Sequence, residues 1–339
     1  MRGGVATVAA VCLWALMGTA RAEPVTLRLA SVAAEGTLWA RELHSFAREI
    51  EAGTQGQVRI KWYLNGVAGD DPQELLRVQR GQLDGIGGAT ACEILAPSLL
   101  VLRVVGLFHT RDEVAYVLGR MGPELEQEFV KSGFHSLANS VFGAEVLFSR
   151  TPVRSMADFR ALRWWTWNAW NVEHIWQDTM PLLGVRESLA APLEQLAGLL
   201  AQHRIDGFMA VPTVALAYQW SALVPYVQEL NTSMLPACMI VSTAALDPLP
   251  IEYQQVIRAA GAKLRVRWND TTATLDRALL DGLFEKQGVK KVPVSDALRS
   301  EFYAAAAAAR AQLGGKLVPA PLLAKVEKML AEYRAGTAR

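Results

Sequence analysis

The chain has 339 residues, with 34 Lys and Arg against 33 Asp and Glu, and 51% of its residues are hydrophobic. This near-neutral balance excludes the strong basic excess of a nucleic-acid binder and gives no polybasic membrane-surface patch. The apolar share is enough for a large core.

The first residues set the compartment. Arg2 precedes an almost wholly apolar stretch, 5–17, followed by Ala20-Arg21-Ala22 and Glu23-Pro24. This is the layout of a secretory signal peptide, 1–22, ending in a small-x-small cleavage site. Its apolar core is shorter than the roughly 20 residues a membrane-spanning helix needs, so an uncleaved anchor is the lesser reading. Cys12 lies in that core without a convincing lipobox. Cleavage leaves 317 residues with 32 basic and 33 acidic side chains. That length suits two lobes or one large α/β domain, and the expected location is the periplasm.

Residues 25–31 alternate and predict a strand. Leu38, Leu43, Phe46, Ala47 and Ile50 recur at helical spacing, so 37–52 reads as an amphipathic helix. A second strand, 58–64, leads through Asn65-Gly66 and Gly69-Asp70-Asp71 to a helix opened by Pro72, which suits a first helical position. Gly81 stops it, and 83–88 runs into a third strand. This β-α-β-α-β opening predicts a parallel sheet with right-handed crossovers. Such sheets bind ligands beyond the carboxyl ends of their strands, so the loops after Ser31 and Gly88 should face a ligand. The apolar stretch 94–108, broken by Pro97 and Arg103, reads as buried core.

Farther on, 112–132 reads as helix, 136–149 as extended, Met156 as the start of a helical turn and 161–166 as a strand. Helices follow at 171–183 and 193–203, then a strand at 205–211. Extended segments crossing in mid-chain suit two lobes joined by strands; there is no Gly/Ser linker and no internal repeat. The end is helical: 252–267, able to run on past Asp270, then 298–313 with its alanine run, and 322–333.

Enzyme chemistry lacks an anchor. None of His44, His109, His135, His174 and His203 stands at a metal-ligand spacing, and there is neither a Gly-x-Ser-x-Gly elbow nor a Walker A sequence. No cofactor and no metal is expected. Gly85-Ile86-Gly87-Gly88 falls short of a dinucleotide fingerprint and reads better as a strand end approached closely by something else. Of the two mature cysteines, Cys92 and Cys238, the default reading is a pair of buried thiols, with a disulfide as the alternative. The unusual feature is tryptophan: Trp164, Trp165, Trp167, Trp170 and Trp176 fall within thirteen residues. They read equally as cavity lining or as core. Along a strand, Trp165 and Trp167 share one face and Trp164 takes the other.

In order, Leu27-Arg28-Leu29-Ala30-Ser31, Phe46-Ala47-Arg48-Glu49-Ile50, Val78-Gln79-Arg80-Gly81-Gln82-Leu83-Asp84, the stretch 152–163, Arg204-Ile205-Asp206-Gly207 and 249–257 resemble the DctP-type periplasmic binding subunits of TRAP (tripartite ATP-independent periplasmic) transporters. The resemblance runs through most of the mature chain. It implies a two-lobed α/β periplasmic-binding-protein fold with a hinged cleft and a long helix spanning both lobes. Residues 23–145 would form mainly lobe I and 146–235 mainly lobe II, with 236–339 supplying crossing strands and C-terminal helices. It implies a non-enzymatic chain that captures a small molecule and hands it to TRAP permease subunits or to another periplasmic partner.

The resemblance also shows departures. Most members hold an organic-acid carboxylate with an arginine after Leu-Lys-x; that position is Trp165. A second arginine, one strand earlier, aligns with Glu145, and the stretch after the Asp-Gly turn becomes Phe208-Met209-Ala210-Val211. An indole offers one donor where a guanidinium offers a bidentate fork. These changes imply an apolar or amphipathic ligand in place of a simple carboxylate. The expected lining is Trp165, Trp167, Glu145, Phe142, Phe208 and Met209, joined by Glu35, Ala89 and Thr90, with Trp39 as either lining or helix core.

Overall fold

A computed structural model describes residues 23–168 and 173–336. The expected signal peptide and Trp170 lie outside the described residues. In chain order the elements are β1 (Val25–Ala30), α1 (Leu38–Gly53), β2 (Val58–Tyr63), α2 (Asp71–Gln79), β3 (Gly85–Gly88), α3 (Thr90–Leu95), α4 (Arg111–Lys131), β4 (Phe134–Ser149), α5 (Met156–Ala161), β5 (Arg163–Trp167), α6 (Glu173–Leu182), β6 (Glu187–Ala191), α7 (Leu196–Ala201), β7 (Gly207–Ala210), α8 (Pro212–Ala217), β8 (Tyr226–Ser242), α9 (Thr243–Leu246), α10 (Ile251–Ala278), α11 (Phe284–Lys286), β9 (Lys290–Lys291), α12 (Asp296–Leu313) and α13 (Ala320–Arg334). A 3-10 turn, Pro97–Arg103, follows α3.

The opening folds as its periodicity predicts. Thr37 caps α1 by accepting the Ala40 N–H, and Ala40, Leu43, Phe46 and Ile50 form its buried stripe. Asp70 caps α2 in the same way, with Pro72 in the first turn. The strand order is β2-β1-β3-β8-β4-β7-β5-β6, with β9 beside β8. β1 is parallel to β2 and β3, and β5 is parallel to β6 and β7.

Two long antiparallel strands, β4 and β8, join the halves. β3 pairs with 238–241 of β8, while β7 pairs with 146–149 of β4. Between these ends the β4–β8 register shifts twice, at Val141/Gly143 and at Glu145/Leu147. Bulges raise local twist and re-aim side chains, and here they fall where the strands cross from one half to the other. Each half has apolar clusters on both faces of its sheet. The 28-residue α10 is held to the first half by Arg267 with Glu42 (2.6 Å) and Glu49 (2.7 Å). Near its other end Asp276 pairs with Arg111 (2.6 Å) and accepts the Thr213 N–H (3.0 Å).

Cys92 and Cys238 form a disulfide, which corrects the default reading of two thiols. Gly88 lies opposite Cys238 in the β3–β8 ladder, and Cys92 is one turn farther on in α3. This leaves the two Cα atoms 5.8 Å apart, a normal bridging distance. Among the described residues, no helix is long and apolar enough to cross a membrane.

Candidate ligand-binding cleft

The carboxyl ends of the strands meet where the halves join. Residues 31–34 after β1, Asp70-Asp71-Pro72 and the 87–90 turn supply one side of a cleft. Trp165 and Trp167 of β5, 209–211 at the end of β7, Leu193, Glu194, Tyr218 and Trp220 supply the other. Phe142 and Glu145 of β4 and Trp268 of α10 complete the lining. The volume is about 520 Å³, within the roughly 300–1,000 Å³ of small-molecule sites.

The walls are aromatic. Trp39 meets Phe142 edge-on at 5.2 Å, and Phe142 lies 6.1 Å from Trp268. Opposite them, Trp165 meets Trp220 edge-on at 6.0 Å, and Tyr218 stacks on Trp220 at 4.8 Å. The Trp165 indole is 3% exposed, and its N–H donates to Ala191 O at 3.0 Å. Its one polar handle is therefore already used within the protein. Trp164 points into the core, with its N–H on Phe159 O at 2.8 Å, so the alternation expected along β5 holds.

The glycine-rich third strand has a steric purpose. A Cβ on Gly88 would sit 2.5 Å from Asp71 Oδ2. The bare backbone lets the buried Asp71 carboxylate accept the N–H groups of Ala89 (2.7 Å) and Ala91 (3.3 Å). Burial raises the Asp71 pKa, and these donors offset part of that rise.

Behind the aromatic walls lies a buried charge cluster. Arg103, at the end of the 3-10 turn, donates Nε–H to Glu93 Oε1 at 2.6 Å and Nη1–H to Glu145 Oε1 at 3.3 Å. Glu145 also accepts the Ser233 hydroxyl, and Trp167 lies 5.7 Å from the guanidinium. Burial pushes Glu93 up to about 7 even though Arg103 pulls it down, with Glu145 and Asp71 adding to the rise. Burial also pulls Arg103 down, but its two carboxylate partners outweigh this and hold it above its ordinary value. Glu145 is thus the partner of an arginine, not an isolated carboxylate.

The cleft brings together Trp165, Trp167, Glu145, Phe142, Met209, Ala89, Thr90 and Trp39 from the sequence-based expectations. Two of the expected residues, Phe208 and Glu35, lie outside this lining. Phe208 is fully buried two residues back from the strand end, stacked on Phe148 at 5.1 Å beneath Trp220. Glu35 lies outside the lining, with its carboxylate on His44 at 3.1 Å. Sequence reasoning missed Asp71, Arg103, Trp220 and Trp268. For Arg103 a signal existed: a charge inside an apolar run is almost never buried without a partner.

A family model described as DctP, bacterial extracellular solute-binding protein, family 7, matches residues 29–314. A solute-binding protein of Verminephrobacter eiseniae is 25% identical over 264 residues, covering 75% of this chain and 77% of that one. A TRAP periplasmic solute-binding protein from Ochrobactrum anthropi superposes with a TM-score of 0.81 at 19% identity, over 93% of this chain and 97% of that one. One from Haemophilus influenzae, solved with bound L-gulonate, gives 0.80 at 18% identity, over 91% and 99%. One from Polaromonas, bound to D-erythronate, gives 0.77 at 21% identity, over 89% and 98%. With a strand-crossed α/β fold, a cleft at the strand ends and a family match over most of its length, the chain belongs to the DctP family of bacterial extracellular solute-binding proteins.

Proposed function

We propose that the chain captures a small amphipathic, largely apolar ligand in this cleft and presents it to the membrane subunits of a TRAP transporter. Membership of the family makes it a non-enzymatic transport component. The observation that carries the ligand class is the lining: among the described residues it contains no arginine, lysine or histidine, and it contains five tryptophans. Two of the related structures hold the sugar acids L-gulonate and D-erythronate. A carboxylate of that kind would here meet indoles and the carboxylates of Asp71 and Glu145. Apolar ligand surface placed on these walls gains roughly 25 cal/mol per Å². The two halves close over the ligand by bending the crossing strands near Glu145.

A periplasmic location, reached through the 1–22 signal peptide, is supported by the extracytoplasmic family and by a disulfide suited to an oxidising compartment. The test is native mass spectrometry of gently purified protein, followed by solvent extraction and identification of the released molecule. An apolar or amphipathic molecule is the expected result. A sugar acid or simple dicarboxylate would overturn the ligand class and leave the family assignment intact.

A further inference from the structure

Beside the main cleft lies a recess of about 30 Å³, room for one water-sized group. It shares Glu145, Trp165, Trp167 and Met209 with the cleft and adds Arg103 and Thr166. It is therefore continuous with the ligand cavity at its aromatic end.

Among the described residues, two polar atoms around this recess have no partner. Arg103 spends Nε and Nη1 on Glu93 and Glu145, but its buried Nη2 has no hydrogen-bond partner. The buried Thr166 Oγ1 has none either. Buried groups of this kind are nearly always satisfied. Both atoms belong to residues that line the recess, so a ligand group placed there has two unspent partners to meet.

The surrounding charge limits what that atom can be. One guanidinium already serves two carboxylates, and Asp71 stands close enough to raise Glu93 further. A ligand carboxylate would add another anion to a cluster that has more carboxylates than cations. A ligand ammonium has no lone pair for Nη2 and would be repelled by the guanidinium. A hydroxyl fits both demands: its oxygen accepts from Arg103, and its proton donates to Glu145 or Thr166.

We infer that this recess is the head-group subsite of the cleft and that it takes a neutral hydroxyl from the ligand, whose apolar body lies on the tryptophan walls. The inference rests on the non-carboxylate reading of the cleft and narrows it to an alcohol.

Three probes with one nine-carbon body separate the outcomes: 3-phenylpropan-1-ol, 3-phenylpropanoate and 3-phenylpropylamine. Each is titrated into the full-length mature protein and followed by tryptophan fluorescence and calorimetry. The alcohol is expected to bind tightest. Thr166→Val should weaken the alcohol about fivefold, the effect of one neutral hydrogen bond, and leave the other two probes unchanged. Thr166→Ser, which keeps the hydroxyl, should restore it. Thr166 is chosen because replacing Arg103 would also leave Glu93 and Glu145 without their cation. Tightest binding by the amine, or equal effects of Thr166→Val on all three probes, overturns the subsite but leaves the apolar cleft standing. Tightest binding by the carboxylate overturns both readings, as does failure of all three to bind.

Discussion

Replacing Arg103 with methionine tests the charge cluster behind the cleft. Arg103 is 4% exposed, and its guanidinium makes ion pairs at 2.6 Å to Glu93 and 3.3 Å to Glu145. Methionine fills much of the volume but leaves two carboxylates facing each other, their side chains 0% and 13% exposed. Removing one partner of a buried pair typically costs about 3–5 kcal/mol. The loss should depend on pH. Burial already lifts Glu93 from 4.5 to about 7 against the pull of Arg103, and without Arg103 it rises further. A carboxyl held protonated in the fold but ionised in the unfolded chain subtracts stability as pH rises between the two pKa values. In the wild type this window for Glu93 runs from 4.5 to about 7; in Arg103→Met it extends above 7. Urea denaturation at acid, neutral and mildly alkaline pH should therefore show a deficit that grows with pH. Adding Glu93→Gln should recover part of it, as expected for coupled neighbours. A deficit below about 1 kcal/mol, typical of an exposed pair, and equal at every pH would refute the cluster.

Two further predictions concern stability. Glu74 is fully buried in α2, with both carboxylate oxygens unpartnered among the described residues, and burial beside Asp71 and Asp70 pushes it up to about 9. Its stability cost therefore grows as pH rises from 4.5 to about 9, and Glu74→Gln should stabilise the protein by about 1–3 kcal/mol at pH 8, read from the denaturant midpoint; a destabilised variant would show that Glu74 has a partner. The Cys92–Cys238 bridge spans 146 residues of chain, for which loop-closure entropy sets a ceiling of about 5 kcal/mol. The double variant Cys92→Ser/Cys238→Ser should lose about 2–5 kcal/mol against the oxidised wild type, and equal stability of the two would show that the bridge does not constrain the unfolded chain.

Legibility in the sequence followed the number of faces an element leaves open. β1 and α1 were readable because strict alternation and an i, i+3, i+4 stripe record one covered side. β8 was not, because its burial is continuous from Thr232 to Val241. A strand covered on both faces has no period-2 signal. β6 is short, lies at the sheet edge and is rich in small residues, so it too gave no pattern. The disulfide is a matter of register: only the pairing of Gly88 with Cys238, a contact distant in sequence, brings the sulfurs together.

The site divides along the same physical line. Trp164, Trp165 and Trp167 sorted correctly because a strand alternates, whatever surrounds it. Phe208 did not, because depth along a strand end depends on where the neighbouring strands stop, and Trp220 covers it. Arg103 carries the larger lesson. The resemblance placed an arginine at the strand end now held by Trp165, and its loss argued for a cleft without a cation. The structure keeps a guanidinium near that place but supplies it from the Pro97–Arg103 turn and fixes it between Glu93 and Glu145. A cation whose charge is already balanced by buried carboxylates has little Coulomb attraction left for an anion, yet it keeps an unspent N–H. On the proposed reading, that combination favours a neutral acceptor over an anion, so tryptophan at position 165 and the carboxylate-paired Arg103 point in the same direction.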